Sequence, residues 1–162
     1  MSKKIEFLKS QLQKRILVLD GAMGTMLQAQ GLKESDFNAG PFANHPKPLM
    51  GDNDVLCITR PDAVKAVHNA YLEAGADIIE TNTFNSNAVS QADYGLEDRV
   101  YDLAFAGAKI AREAADAMTA RTPGKPRFVA GSMGPTGRTA SMSPSVDDPA
   151  ARNIAFDELA AT

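Results

Sequence analysis

Three short apolar runs, each closing on polar or glycine residues and each followed by a helix-length stretch, constrain this chain more than any other feature. Residues 16–20 (ILVLD) run into Gly21 and Gly24, residues 77–83 (DIIETNT) into Phe84-Asn85, and residues 127–132 (RFVAGS) into Gly134 and Gly137. Continuous β-branched runs of this length suit strands buried on both faces. Strands that alternate with helices form a parallel sheet with right-handed crossovers, an α/β architecture. In such sheets ligands sit at the carboxyl ends of the strands, and here those ends carry the polar residues.

The helices between them are legible from spacing. Ile5, Leu8, Leu12 and Ile16 repeat three and four apart and predict an amphipathic first helix leading inward. Residues 26–30 start a helix that Gly31 stops. Pro61 suits a first helical position with Thr59 as its cap, Ala63, Val64, Val67, Ala70, Tyr71 and Ala74 make one apolar face, and Gly75 ends the helix. Residues 97–120 predict a long Ala-rich helix with Leu103, Ala106, Ile110 and Ala114 on one side, broken by Thr122-Pro123-Gly124. Pro149 opens a last helix after a polar loop at 139–148. Residues 36–60 hold Gly40-Pro41, His45-Pro46, Pro48 and Gly51-Asp52-Asn53, which read as a long irregular loop, either functional or packed across the domain's rim.

Composition narrows the function classes. A net charge of -3 on 162 residues points to no nucleic-acid partner and no anionic membrane surface. No apolar run approaches the roughly 20 residues of a membrane span, and the charged N-terminus lacks the pattern of a secretory signal. The single Cys57 precludes an internal disulfide and fits a reducing, cytoplasmic setting. The glycine spacings match neither a dinucleotide fingerprint nor a phosphate-binding P-loop.

Three strand ends could carry chemistry. In Asp20-Gly21-Ala22-Met23-Gly24-Thr25 a carboxylate can accept from an ammonium group while glycines let backbone N–H groups approach an anion, which suits the two charged ends of an amino acid. The alternative is a turn in which Asp20 caps the next helix. Glu80 and Asn82 share one face of their strand and Thr81 and Thr83 the other, either of which could point into a site. Ser132 and the Gly131–Thr136 turn offer further donors, with Arg138 free to pair with a carboxylate. Cys57 reads as a buried small hydrophobe, His45 as solvated, His68 as a packed helix residue, and the methionines as core filler.

LDGAMGTMLQ at 19–28, AYLEAGADIIETNTFNS at 70–86 and VAGSMGPTGRTAS at 129–141 resemble the homocysteine-binding domain of cobalamin-dependent methionine synthases, in the homocysteine S-methyltransferase family. The segment NDVLCITRPDAV at 53–64 is similar as well, so the resemblance spans nearly the whole chain. It implies the N-terminal portion, about three βα units, of a (βα)8 TIM barrel, with residues 1–162 an incomplete domain. It implies transfer of a methyl group to the homocysteine thiol, giving methionine, from methylcobalamin recharged by 5-methyltetrahydrofolate. Betaine- and S-methylmethionine-dependent relatives share the fold and the Asp-Gly turn. The implied substrate-binding residues are Asp20, Gly21, Ala22, Met23, Gly24, Thr25, Glu80, Asn82 and Ser132. The family's zinc sits on three later cysteines, to none of which Cys57 corresponds, so this chain alone is expected to bind neither zinc nor cobalamin and to be inactive. The remaining barrel half and the cobalamin and folate domains are its implied partners. Because three βα units leave open sheet edges, residues 1–162 are expected to be either an assembly or a stable part of a longer chain rather than a lone monomer. The alternatives are another α/β barrel enzyme with an amino-acid or sugar-like substrate and catalytic acids downstream, and a non-enzymatic half-barrel module.

Overall fold

The computed structural model describes residues 3–162, with side chains from residue 5 onward. The helices are α1 (Lys3–Leu12), α2 (Met23–Gln28), α3 (Glu34–Phe37), α4 (Leu56–Thr59), α5 (Pro61–Glu73), α6 (Ala88–Gln91), α7 (Val100–Arg121) and α8 (Phe156–Ala160). The strands are β1 (Ile78–Glu80) and β2 (Phe128–Ala130), parallel, with Ile78 opposite Phe128 and Glu80 opposite Ala130.

The expected first strand is reduced to one parallel bridge, Leu19 to Ile78, flanked by Asp77 N–H to Val18 O (2.8 Å) and Asp20 N–H to Ile78 O (3.0 Å). The three parallel segments therefore lie in chain order, with β1 central. Ile16, Val18 and Leu19 are exposed rather than buried, because no described element covers their outer side. The predicted apolar face of α1 is likewise uncovered: the helix stops at Leu12, Ile5 and Leu12 face solvent, and its visible anchor is Phe7 stacked on Phe128 (6.3 Å between centroids).

The core lies on the helical side of the sheet. Ala111, Ala114, Ala115 and Met118 of α7 pack on Ile79 and Leu72, while Val64, Val67, Leu103 and Ile110 join α4 and residues from 27 to 55 in a second apolar cluster. Small residues let α7 ride close to β1. A Cβ on Gly107 would lie 2.5 Å from Thr83 Cγ2 and 3.2 Å from Asn82 O, so only glycine fits there.

The segment 36–60 is not an irregular loop on the rim, although its Asn53 and Asp54 do line a cavity at the strand ends. Its backbone turns often, with 3-10 turns at Gly40–Phe42 and Asn53–Val55, yet Phe37, Phe42, Leu49, Val55 and Leu56 are core residues. The turn signals match the backbone but conceal the apolar residues spaced between them. Thr59 does not cap α5; its hydroxyl donates to Val55 O (3.2 Å), and Arg60 holds the cap position without a side-chain bond. The last helix begins at Phe156, not Pro149, because Glu158 Oε2 accepts from Ala155 N–H (3.0 Å) and sets the start there. Met118 is buried, but Met50, Met133 and Met142 are exposed, so the methionines are not uniformly core filler.

Candidate functional site

The carboxyl ends of the three parallel segments open into one cavity of about 260 Å³. Asp20 and Gly21 to Gly24 form one wall, Glu80 and Asn82 another, and Ser132 contributes from the end of β2. Eight of the nine residues expected from sequence thus meet in one place. Thr25 does not: it is exposed and outside the cavity wall, because α2 begins at Met23, three residues before the start expected at 26.

The turn that begins α2 is made by Ala22, with φ 46°, the only non-glycine residue with positive φ among those described. A left-handed alanine costs about 1 kcal/mol and persists only where the surroundings hold it. It swings the chain so that the first turn of α2 runs along the cavity, with Met23 and Gly24 in its wall. The N–H groups of a helix's first turn have no intrahelical acceptor and carry the positive end of its dipole.

Asp20 is half-buried, and Oδ1 accepts from Glu80 N–H at 2.9 Å. Burial pushes its carboxyl up to about 6, with the Glu80 N–H pulling down and the Glu80 carboxylate pushing up. Its charge therefore changes close to neutrality. On the alternating face, Thr81 and Thr83 hydroxyls bond each other (2.6 Å) and join β1 to β2, Ser132 N–H donating to Thr81 Oγ1 (2.9 Å) and Thr83 Oγ1 to Ser132 O (2.8 Å). Thr83 is spent on structure, and Thr81 does both, joining the strands while bordering the cavity.

Sequence reading did not assign Asn53 and Asp54 to the site and took Phe84 and Asn85 only as the end of the 80–85 candidate stretch; all four line the cavity. Asp54 is buried, and its Oδ2 accepts from Asn85 N–H (2.9 Å) and Ser86 Oγ (2.7 Å). Burial pushes its carboxyl up to about 6 against both bonds. Asn82 Nδ2 donates to Asn53 O (2.7 Å), tying the 52–55 turn to the end of β1. The available signal was the Asp-Asn-Asp run at 52–54, immediately before an apolar helix start.

The other candidates lie away from this chemistry. Cys57 is buried, with Sγ donating to Asn82 O (3.3 Å), and burial pushes the thiol up to about 12. His68 is fully buried in α5. His45 is not solvated: its Nε2 lies 2.7 Å from Tyr94 O. Arg138 is exposed and forms no ion pair with a described residue. Among the described residues no three His, Cys, Asp or Glu side chains gather as a metal site, and a protonated thiol bonded to a carbonyl is a poor zinc ligand. The residues present do not fit zinc. A second hollow of about 570 Å³ on the far side of Phe84 has no acidic, basic or thiol side chain in its wall.

Fold and site together define an α/β protein with a small, carboxylate-rich cavity at the carboxyl ends of its parallel strands. The homocysteine S-methyltransferase family matches residues 17–162, and the chain belongs to that family. Among solved structures it is similar to the homocysteine methyltransferase MmuM from Escherichia coli. The metallated form is 28% identical with a TM-score of 0.62, over 80% of this chain and 42% of that one. The oxidized form is 30% identical with the same TM-score, over 79% and 40%. The chain thus spans about two-fifths of the length of these solved relatives. Among the described residues no helix is long and apolar enough to cross a membrane.

Proposed function

We propose that this chain forms the amino-acid end of a homocysteine pocket, in an enzyme that methylates the homocysteine sulfur to give methionine. The three parallel segments are then the first arc of a (βα)8 barrel. The observation that carries the reading is the pairing, in one cavity, of the half-buried Asp20 carboxylate with the open first turn of α2. The carboxylate accepts from the substrate ammonium, and the N–H groups of Met23 and Gly24 receive its carboxylate. Glu80, Asn82 and Ser132 border the bound chain, and the Thr25 side chain takes no part. Sulfur activation and the methyl donor lie with residues outside this cavity. Zinc and methylcobalamin, recharged by methyltetrahydrofolate, are the proposed groups, and a cytoplasmic setting belongs to the same proposal. A donor such as S-methylmethionine or betaine would use the same amino-acid end.

Calorimetric titration with homocysteine tests this. Binding is expected to weaken as pH falls through about 6, where Asp20 takes up a proton. Asp20→Asn should lower affinity roughly tenfold or more, the worth of one charge-assisted hydrogen bond. N-acetylhomocysteine, which has no ammonium, should not bind. Equal binding of homocysteine by Asp20→Asn overturns the assignment. No binding of any amino acid, together with self-association through the exposed Ile16–Leu19 edge, favours an assembly module instead.

A further inference from the structure

Behind the cavity wall lies a polar pair that the proposed function does not use. Asp52 and Gln91 are both fully buried. Gln91 Nε2 donates to Asp52 Oδ1 (3.2 Å) and also to Asn85 O (3.2 Å). Asp52 Oδ1 accepts from Asp54 N–H as well (3.3 Å). The pair thus joins the turn carrying Asn53 and Asp54 to the loop carrying Asn85, three residues of the cavity wall.

Two oxygens in this pair have no donor. Asp52 Oδ2 and Gln91 Oε1 are buried and accept no hydrogen bond. An ionised carboxylate and an amide oxygen can only accept, so neither can relieve the other. Reversing the Gln91 amide would set its oxygen against Asp52 Oδ1 and Asn85 O, which is worse. Among the described residues no cation offsets a charge on Asp52. On its own turn it faces the Asp54 carboxylate, which pushes its proton affinity up further. From α4 the neighbour is the Cys57 thiol, and from the segment after α6 it is the Tyr94 hydroxyl, with Asp93 beyond. Upstream, Glu34 is engaged with the N–H groups of Leu49 and Met50, and Lys47 donates to the carbonyls of Ala92 and Asp93. An unpaired buried anion with one orphaned oxygen is costly, and a single proton removes the charge and supplies the missing donor.

We propose that Asp52 is a positioning residue held as the neutral acid, its Oδ2–H donating to Gln91 Oε1 while Gln91 Nε2 donates back to Oδ1. The pair is then a neutral, two-bond clamp that holds the two cavity loops in register. Burial pushing Asp52 up to about 7 agrees with that state. The sign of the pH dependence follows. The unfolded carboxyl ionises near 3.8, so folding must take up a proton between there and about 7. The folding constant accordingly falls up to tenfold per pH unit as pH rises across that window, then levels off.

Asp52→Asn is the discriminating variant. Asparagine keeps the shape, stays neutral at every pH, donates to Gln91 Oε1 through Nδ2 and accepts through Oδ1. Urea denaturation of the chain and of D52N should show equal or greater stability for the variant at pH 7.5. The difference should grow between pH 4.5 and 7, with tenfold per unit as its limit, and stay flat above. Asp20 titrates in both proteins and cancels, while Asp54 faces Asp52 and loses a like-charged neighbour in D52N, so the carboxyl NMR shift assigns the difference to Asp52. Should D52N not fold, carbon-detected NMR of the Asp52 carboxyl in the unaltered chain answers the same question: its shift at pH 6 should be that of a protonated acid. A carboxylate shift at pH 6, or a D52N penalty that is the same at every pH, overturns the proposal. Neither readout involves homocysteine, so the outcome is separate from the fate of the proposed function.

Discussion

The two sides of the central strand behave differently. On its helical side Ile79 is 0% exposed, sealed by α7 and α5. On its leading side the sheet thins to a single bridge at Leu19, and Ile16 is 88% exposed. The same kind of apolar run is core in one place and surface in the other. The difference lies in what is packed against each: α7 lies close enough for Gly107 to touch Thr83, while nothing described lies beyond residues 16–19. The helical layer is held by packing, and the leading edge by one polar knot. In that knot Arg15 donates to both oxygens of the buried Asp77 (2.7 and 2.9 Å), Val18 N–H donates to Oδ2 (2.9 Å), and Lys125 stands 3.5 Å away.

The largest expected effect sets one isoleucine against another. Ile79→Ala should cost about 3–4 kcal/mol, the usual loss for a buried aliphatic side chain that leaves a cavity. Ile16→Ala should cost less than about 0.5 kcal/mol, as surface changes do. Urea denaturation of both variants measures the contrast, and a large loss at Ile16 would mean that the leading edge is covered in solution, breaking the comparison.

Next comes the knot. Asp77→Asn should cost about 2–3 kcal/mol, less than a fully buried pair because Arg15 reaches solvent. The Arg15 guanidinium holds the Asp77 carboxyl down at about 2, against an ordinary 3.8. A depressed folded value means the contribution is complete above the unfolded value and is lost as pH falls through about 2. Denaturation between pH 5 and 2.5 should show the variant losing less with acid than the parent. Parallel curves would remove the knot from the account.

The smallest effect lies inside the well-packed side. His68 is fully buried, neither ring nitrogen has a partner, and burial lowers its pKa to about 4. The unfolded imidazole takes a proton near 6.5, so stability is lost as pH falls from there toward 4. His68→Leu should raise stability by about 1–2 kcal/mol at pH 7 by removing unsatisfied polar atoms and should flatten that part of the pH profile. A loss of stability would show that an unseen partner satisfies the ring.

Much of the site is legible in the sequence. Asp20, Glu80, Asn82 and Ser132 announce themselves because each closes an apolar run, and strand ends are where a parallel sheet puts its ligands. Asn85 closes the candidate stretch after β1, but the role of Asn53 and Asp54 is not legible there. They reach the cavity only because the 52–55 turn folds back over the end of β1, held by Asn82 Nδ2 on Asn53 O. The long turn-rich stretch misleads for a related reason: local backbone signals at 40–53 say nothing of Phe42 and Leu49, whose burial depends on α5 and α7, distant in the chain.

What the sequence determined by itself were the properties that need only neighbours along the chain. These are the alternation of strand and helix, the stop at Gly75, the apolar face of α7 and the Ala63, Val64 and Val67 part of that of α5, and the polar residues at each strand end. By contrast, α2 ends at Gln28, ahead of Gly31, and Ala70 and Ala74 are exposed. Tertiary structure decided which apolar runs became core, since Ile79 and Ile16 differ only in what covers them. It also decided the protonation chemistry. Asp20, Asp52, Asp54 and Asp77 are the same residue in sequence. Burial without a cation raises three of them, and one arginine from the segment before the leading edge lowers the fourth.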